Sequence, residues 1–203
     1  MTEEEWLESN DPHLVLREVK ASQFERKARL ISVAFARRVL AIRKDPLFYR
    51  ALEIAERHAD GEAEEYEVSE ANSHIDPITG RHDPILNYVF KPIPLWTSRH
   101  AILKIVGGVD VRLREQAAHC QLVRDIYGIP FRTITLDSSW LTSTVIALAR
   151  QMYISRDFSA IPILADALQD AGCENATVLD HCRDAKGVHV RGCWVVDLLL
   201  DKK

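Results

Sequence analysis

Apolar residues recur at helical spacing along most of the chain, and residues that favour helix starts precede them. Thr2 and Glu5 have the spacing of a capping box, in which a hydroxyl and a carboxylate satisfy free amides at a helix start. Asp45 followed by Pro46 marks another start, with the acid as cap and the proline in the first helical position. The pattern predicts helices over 3–9, 23–43, 46–59, 62–71, 98–106, 110–127, 140–154, 161–171, 175–183 and 191–200.

The stretch from 73 to 96 interrupts this pattern. It holds four of the chain's 8 prolines and few helix-forming residues, which predicts an irregular proline-rich loop or short strands. The fold class that follows is mainly α, a single-domain helical bundle over 1–203 with about eight helices. N-terminal helices occupy 1–72, and C-terminal helices occupy 97–203.

Long connections that carry aromatic and charged residues are common places for binding. A loop that only wraps the core is an equally good interpretation of 73–96. If the stretch binds a partner, the exposed contacts expected are His74, Arg81, His82, Tyr88 and Trp96.

Composition narrows the function classes only a little. The chain is 47% hydrophobic and 28% charged, which is typical of a globular protein. The start, MTEEEWLESNDP, lacks the basic and apolar segments of a secretory signal, so we expect a cytoplasmic location. No apolar run approaches the roughly 20 residues that a membrane-spanning helix needs.

Charge is distributed in two opposite blocks. Residues 20–44 contain eight Lys and Arg against one Glu, whereas residues 53–70 contain eight acids against one Arg. A basic amphipathic helix can lie on a nucleic-acid backbone, but two neighbouring helices of opposite charge that face each other are the simpler interpretation. The net charge of -4 also argues against a protein whose whole surface coats nucleic acid.

Cysteine and histidine concentrate near the end of the chain, in DHCRDAKGVHVRGCW. His189 and Cys193 are four residues apart and share one face whether the segment is helix or strand. The adjacent His181 and Cys182 diverge by about 100° on a helix, so only one of them can join the same site. A Zn²⁺ site needs four ligands, and the predicted set is Cys173, Cys182, His189 and Cys193, with His181 and Cys120 as alternates.

Two other interpretations of the same residues stay open. The spacing lacks the Cys-x₂-Cys knuckle of zinc fingers, and plain burial is a frequent fate of cysteine. The other is thiol chemistry, with Cys182 or Cys193 as nucleophile, His189 as base and Asp197 as the nearest third group.

Several stretches resemble a family of uncharacterised planctomycete proteins. They are MTEEEWL, EQAAHCQLVRDIYGIPFR, WLTSTVIALARQMYISRDFSAIPILADALQDAGC and HVRGCWVVDLLL, within 1–60 and 110–203. The resemblance implies no activity. Those relatives often carry two cysteines where this chain has Phe35 and Ala36, which leaves the C-terminal Cys/His segment as the better candidate site.

The function predicted from the sequence is a cytoplasmic binding or regulatory module with a protein partner. Structural zinc in the C-terminal Cys/His segment is the one candidate cofactor, and the other interpretation is a chain with no cofactor. An enzyme is not the favoured class, and a small Cys/His-dependent enzyme is the first alternative. A nucleic-acid-binding protein that uses the basic helix within 20–44 is the second.

Overall fold

A computed structural model describes most of the chain, namely residues 1–19, 25–39, 45–73, 84–90, 109–184 and 186–202. The chain divides into two compact units, here called the N-terminal unit (Met1–Val123) and the C-terminal unit (Arg124–Lys203). The described residues are mainly helical and contain no β-strand, which confirms the predicted class of a mainly α helical bundle. The prediction of a single domain stays a prediction.

Helices account for most of the described N-terminal unit. They are α1 (Glu3–Glu8), α2 (Pro12–Glu18), α3 (Glu25–Val39), α4 (Pro46–Ala59), α5 (Glu65–Asn72), α6 (Pro84–Phe90) and α7 (Val109–Tyr127), whose last residues belong to the C-terminal unit. The capping box at α1 is confirmed, since the Thr2 amide donates to Glu5 Oε2 at 2.7 Å and the Glu5 amide donates to Thr2 Oγ1 at 3.1 Å. The predicted bounds of α4 are also confirmed, with the Leu47 amide donating to Asp45 at 3.0 Å.

The two charge blocks meet where α3 packs against α4. Arg26 Nε lies 2.8 Å from Asp60 Oδ1, and Arg37 Nε lies 2.8 Å from Glu56 Oε1. The side chains of both acids are buried, with 0% of Asp60 and 4% of Glu56 exposed to solvent. The expectation that basic and acidic helices face each other is therefore confirmed for these residues.

Two helices of the N-terminal unit differ from the prediction. Helix α2, which begins at Pro12 after the cap Asp11, was not among the predicted helices. The loop or strands predicted over 73–96 contain α6 instead, because Pro84 occupies a helix start, where proline costs no hydrogen bond.

Other predictions in this region lie outside the described residues. They include the helix over 98–106 and the partner contacts His74, Arg81, His82 and Trp96. Tyr88 belongs to α6, but its side chain is not described.

The C-terminal unit packs short helices around an apolar cluster. After α7 come a 3₁₀ turn (Ser138–Trp140), α8 (Ser143–Ser155), α9 (Ile161–Asp170), α10 (Ala176–Arg183) and α11 (Trp194–Leu199). Buried side chains from all of these elements after α7 form the core, among them Trp140, Met152, Leu164, Leu179 and Val196. Cys173, Cys182 and Cys193 belong to the same cluster.

The predicted helix over 191–200 is wrong at its start, because α11 begins only at Trp194. Gly192 has φ +98°, a left-handed conformation that glycine adopts readily and that a helix does not contain. The amide of Cys193 donates to Val190 O at 2.9 Å and closes a turn around it. This turn, rather than a helix, sets where His189 and Cys193 lie.

Candidate metal centre

Four side chains of the C-terminal unit converge on one point. Asp125 comes from the last turn of α7, His181 from α10, His189 from the segment between α10 and α11, and Cys193 from the cap position of α11. Each offers one donor atom, and these atoms all lie within 4.8 Å of one another. We call these four residues the donor cluster.

Helix ends hold two of these residues in place. Helix α7 stops just after Asp125 because Gly128, at φ +70°, donates its amide to Arg124 O at 2.9 Å and forms a left-handed helix end. At the start of α10, Asn175 accepts from the Val178 amide at 3.3 Å, which fixes the register that brings His181 to the cluster.

The backbone of the α10–α11 connection is tied to the same carboxylate. The amide of Val190 donates to Asp125 Oδ2 at 2.9 Å. The other oxygen of Asp125 is thereby left facing the imidazoles of His181 and His189. Because this amide lies next to His189, the contact fixes the carboxylate and the ring together.

The donor atoms are close enough to one another to hold a metal ion. Asp125 Oδ1 lies 2.8 Å from His189 Nδ1 and 3.3 Å from His181 Nε2. Cys193 Sγ lies 3.2 Å from His181 Nε2 and 3.9 Å from His189 Nδ1. Zinc bonds of roughly 2.0–2.3 Å place tetrahedral donors about 3.3–3.6 Å apart. Of the four distances, 3.3 Å lies at the lower bound of that range, 2.8 and 3.2 Å are shorter, and 3.9 Å is longer.

The donor cluster is shielded from solvent. The side chains of Asp125 and His189 are 2% and 6% exposed, Cys193 is 0% exposed, and His181 is the most open at 18%. The Nε2 atom of His189 is buried with no hydrogen-bond partner among the described residues. A buried nitrogen of this kind requires a physical explanation, for which an ordered water, a bound ion or a functional role are the usual candidates.

Electrostatics favour a charged carboxylate at the centre. Burial, the largest influence, raises the pKa of Asp125, but the hydrogen bonds and charges of His181 and His189 outweigh it and hold the pKa below its ordinary value. An ionised Asp125 is a buried negative charge, which requires a cation beside it. Protonated imidazole or a metal ion meets that requirement.

The sulfur of Cys193 has the opposite tendency. Burial raises the pKa of its thiol well above the ordinary value, and the negative charge of Asp125 adds to the rise. The backbone amides of Val196 and Val195 favour the thiolate, without reversing the shift. Without a cation, Cys193 is therefore a neutral thiol at pH 7.

Aromatic rings surround the two imidazoles. The rings of His181 and His189 meet edge to face with centroids 4.9 Å apart, and Trp194 packs on His181 at 5.2 Å. Phe158 stacks on His189 at 6.5 Å. A β-carbon at Gly128 would lie only 3.0 Å from Trp194 Cγ, so this glycine leaves room for the indole.

The structure groups a different ligand set from the one expected. Of the predicted residues, it brings together His189 and Cys193, with the alternate His181. Cys173 and Cys182 are buried in the apolar cluster and do not belong to the donor cluster. Burial and then the charge of Asp125 raise the pKa of Cys182 to about 12.

The helical register explains why His181 rather than Cys182 joins the centre. Adjacent residues on α10 point about 100° apart, so the face that turns His181 to Asp125 turns Cys182 into the core. The other alternate, Cys120, is a buried residue of α7 in the N-terminal unit. Asp197, the expected third group of a thiol site, is buried in α11 and does not belong to the donor cluster.

Sequence reasoning missed Asp125. Its one local signal is an acid among apolar neighbours, since Leu122, Val123 and Ile126 beside it are all buried. A charged residue in such a position needs a partner, which is a reason to include it in a search for sites.

Comparison with known proteins adds no assignment, since no family model, curated protein or solved structure matches the chain. The function must therefore be argued from the donor cluster itself.

Proposed function

We propose that the protein is a zinc-binding protein in which the donor cluster holds one structural Zn²⁺ that fastens α7, α10 and α11 together. One observation carries the proposal: four donor atoms from three separated parts of the chain lie within 4.8 Å of one another in a shielded position. In this proposal the chain is a cytoplasmic binding or regulatory module with a protein partner. Its membership of the planctomycete family is proposed on the sequence resemblance.

Charge balance supports a divalent ion. Bound as ligands, Asp125 and Cys193 each carry one negative charge and the two imidazoles are neutral, so a divalent cation makes the buried centre neutral overall. A set of three thiolates and one imidazole would instead leave one negative charge. One sulfur, two nitrogens and one oxygen in a tetrahedral arrangement suit Zn²⁺.

The same geometry does not favour a cysteine nucleophile. Cys193 is fully buried and its thiol pKa is raised, whereas a reactive cysteine needs access and a lowered pKa. In each imidazole, the same nitrogen lies close to both the Cys193 thiol and the Asp125 carboxylate. That nitrogen is Nε2 in His181 and Nδ1 in His189. A Cys-His-Asp relay needs those two groups on opposite ring nitrogens.

A nucleic-acid interface on the basic helix gains little support. Arg26, Arg37 and Arg38 of α3 each form an ion pair with an acid of the N-terminal unit. Cations held by carboxylates are less available to neutralise phosphates.

No helix among the described residues is long and apolar enough to cross a membrane.

Zinc titration of the metal-free full-length chain tests the proposal. We expect one ion per chain, together with stabilisation of about 4 kcal/mol when free zinc is 1,000-fold above its dissociation constant. Cobalt substitution should give the intense visible absorption of a four-coordinate ion with a thiolate ligand. Chelation should reverse both effects.

Two cysteine variants supply the matched comparison. Cys193→Ala should weaken zinc binding by about 100-fold or more, because loss of a ligand exceeds the 10–100-fold effect of supporting contacts. Cys173→Ala removes a buried sulfur of the same unit outside the donor cluster and should keep one zinc per chain. Absence of stoichiometric binding in the unmodified chain, or equal binding by both variants, would overturn the proposal.

A further inference from the structure

Gly187 lies against the ring of His189 in a way that its backbone conformation does not require. Four glycines of the described chain have positive φ, namely Gly61, Gly128, Gly172 and Gly192, and Gly187 is not one of them. An alanine at 187 would therefore meet no left-handed strain. The constraint that the structure shows at this position is the space around the missing β-carbon.

That space is occupied by atoms with little freedom to move. A β-carbon at Gly187 would lie 2.9 Å from His189 Nε2, 3.1 Å from the backbone oxygen of Asp184 and 3.4 Å from His189 Cε1. The Gly187 amide donates to that same Asp184 oxygen at 2.9 Å, which holds the carbonyl in a turn. The first of these separations is shorter than real β-carbon contacts allow, so the ring or the turn would have to shift.

The His189 ring is fixed on its opposite edge by the donor cluster. Its Nδ1 lies 2.8 Å from Asp125 Oδ1, while its Nε2 faces Gly187 and has no hydrogen-bond partner among the described residues. Phe158 stacks on the face of the ring. A shift away from a new methyl group would therefore move Nδ1 relative to Asp125 and Cys193.

We propose that Gly187 is a positioning residue of the metal centre, whose missing side chain lets His189 enter with Nδ1 as its ligand atom. This inference rests on the proposed zinc function. It specifies which nitrogen of His189 binds the ion and which neighbouring residue selects it. Gly187 itself supplies no ligand and acts through His189.

Zinc affinity of Gly187→Ala, measured against a competing chelator, is the first test. We expect a loss of about 10–100-fold, as for other changes to the support of a ligand. The cobalt form of this variant should show an altered visible spectrum, because one donor is displaced. Lys186→Ala changes the exposed neighbour of Gly187 and should bind zinc and cobalt like the unmodified chain.

A double-mutant cycle separates positioning from a general loss of stability. If Gly187 acts through His189, adding Gly187→Ala to a His189→Ala chain should cause no further loss of zinc affinity. Equal zinc affinity in Gly187→Ala and the unmodified chain would overturn the inference. So would full additivity of the two changes. Failure of the unmodified chain to bind zinc would instead overturn the proposed function, and this inference with it.

Discussion

The two units handle buried charge in different ways. Among the described residues of the N-terminal unit, buried acids contact arginines of a neighbouring helix, as at Arg26 with Asp60 and Arg37 with Glu56. The C-terminal unit gathers a carboxylate, two imidazoles and a thiol into one donor cluster. Separate ion pairs spread the electrostatic contribution to stability over several carboxylates. In the donor cluster, the other members all depend on the single carboxylate of Asp125.

Buried charge joins two neighbouring helices in the N-terminal unit, whereas in the C-terminal unit it belongs to a group that could hold a metal ion. An ion pair between these neighbouring helices brings a guanidinium to a carboxylate, and a guanidinium has no lone pair to offer a metal ion. The donor cluster leaves the buried Nε2 of His189 without a hydrogen-bond partner among the described residues, and it holds a thiol beside an ionised carboxylate. The convergence of four donor atoms within 4.8 Å of one another is what distinguishes the candidate centre from these ion pairs.

The largest effect is expected from loss of the shared carboxylate. In the metal-free protein, Asp125→Ala should lower the free energy of unfolding by about 3–5 kcal/mol, because both imidazoles and the Val190 amide lose their acceptor. Denaturant unfolding measures this difference. Asp170→Ala removes an exposed acid of the same unit and should change the value by about 0.5 kcal/mol or less. Similar losses in the two variants would contradict the shared-carboxylate interpretation.

A smaller loss should follow removal of one ion-pair partner in the N-terminal unit. Arg37→Ala removes a charged hydrogen bond of 2.8 Å to the buried Glu56, at an expected cost of about 1–3 kcal/mol. Arg50→Ala, an exposed arginine of α4, is the control and should be nearly neutral. If loss of Arg37 destabilises the chain as much as loss of Asp125 does, the two units do not differ in the way proposed.

The smallest effect concerns Arg38 and Glu115, a half-buried pair joined by hydrogen bonds of 2.6 and 2.9 Å. The hydrogen bond from Arg38 is the main cause that holds the pKa of Glu115 below its ordinary value. A carboxylate with a lowered pKa in the folded state adds stability above its unfolded pKa and loses it as pH falls through the folded value.

Glu115→Gln should therefore be less stable than the unmodified chain at pH 6, by about 1 kcal/mol or less for a pair this exposed. The difference in the free energy of unfolding between the variant and the unmodified chain should become smaller as the pH falls toward 3. Unfolding at several pH values measures it, with Glu65→Gln as an exposed control. A gap of constant size over that range would show that the carboxylate charge is not its source.

Local signals in the sequence were sufficient for much of the fold. Asp45, Pro46 and the apolar stripe after them predicted α4 with its observed bounds, and Gly172 marked the end of α9 to within one residue. The same Asp-Pro signal at Asp11 was overlooked, which is why α2 was missed. The sequence therefore contains the signal that predicts α2, in Asp11 followed by Pro12.

The donor cluster could be predicted only in part. His189 and Cys193 were expected to converge, yet they do so through a turn at Gly192 rather than along a helix. Asp125 could not be placed, because it lies 64 residues before His189 and no local pattern relates them. The face of a helix on which a residue lies can be predicted from the sequence. Contacts between segments far apart in the chain depend on how the core packs, which a local pattern does not show.

That distance along the chain has a consequence for the order of assembly. Asp125 can meet His189 only when the intervening helices α8, α9 and α10 have been brought close enough for the loop between them to close. In the proposed zinc-bound form, binding of an ion by all four donors would therefore be a late event in folding, and a fragment that stops short of Cys193 would lack one ligand. Retention of such an ion would therefore indicate that the C-terminal unit is fully folded.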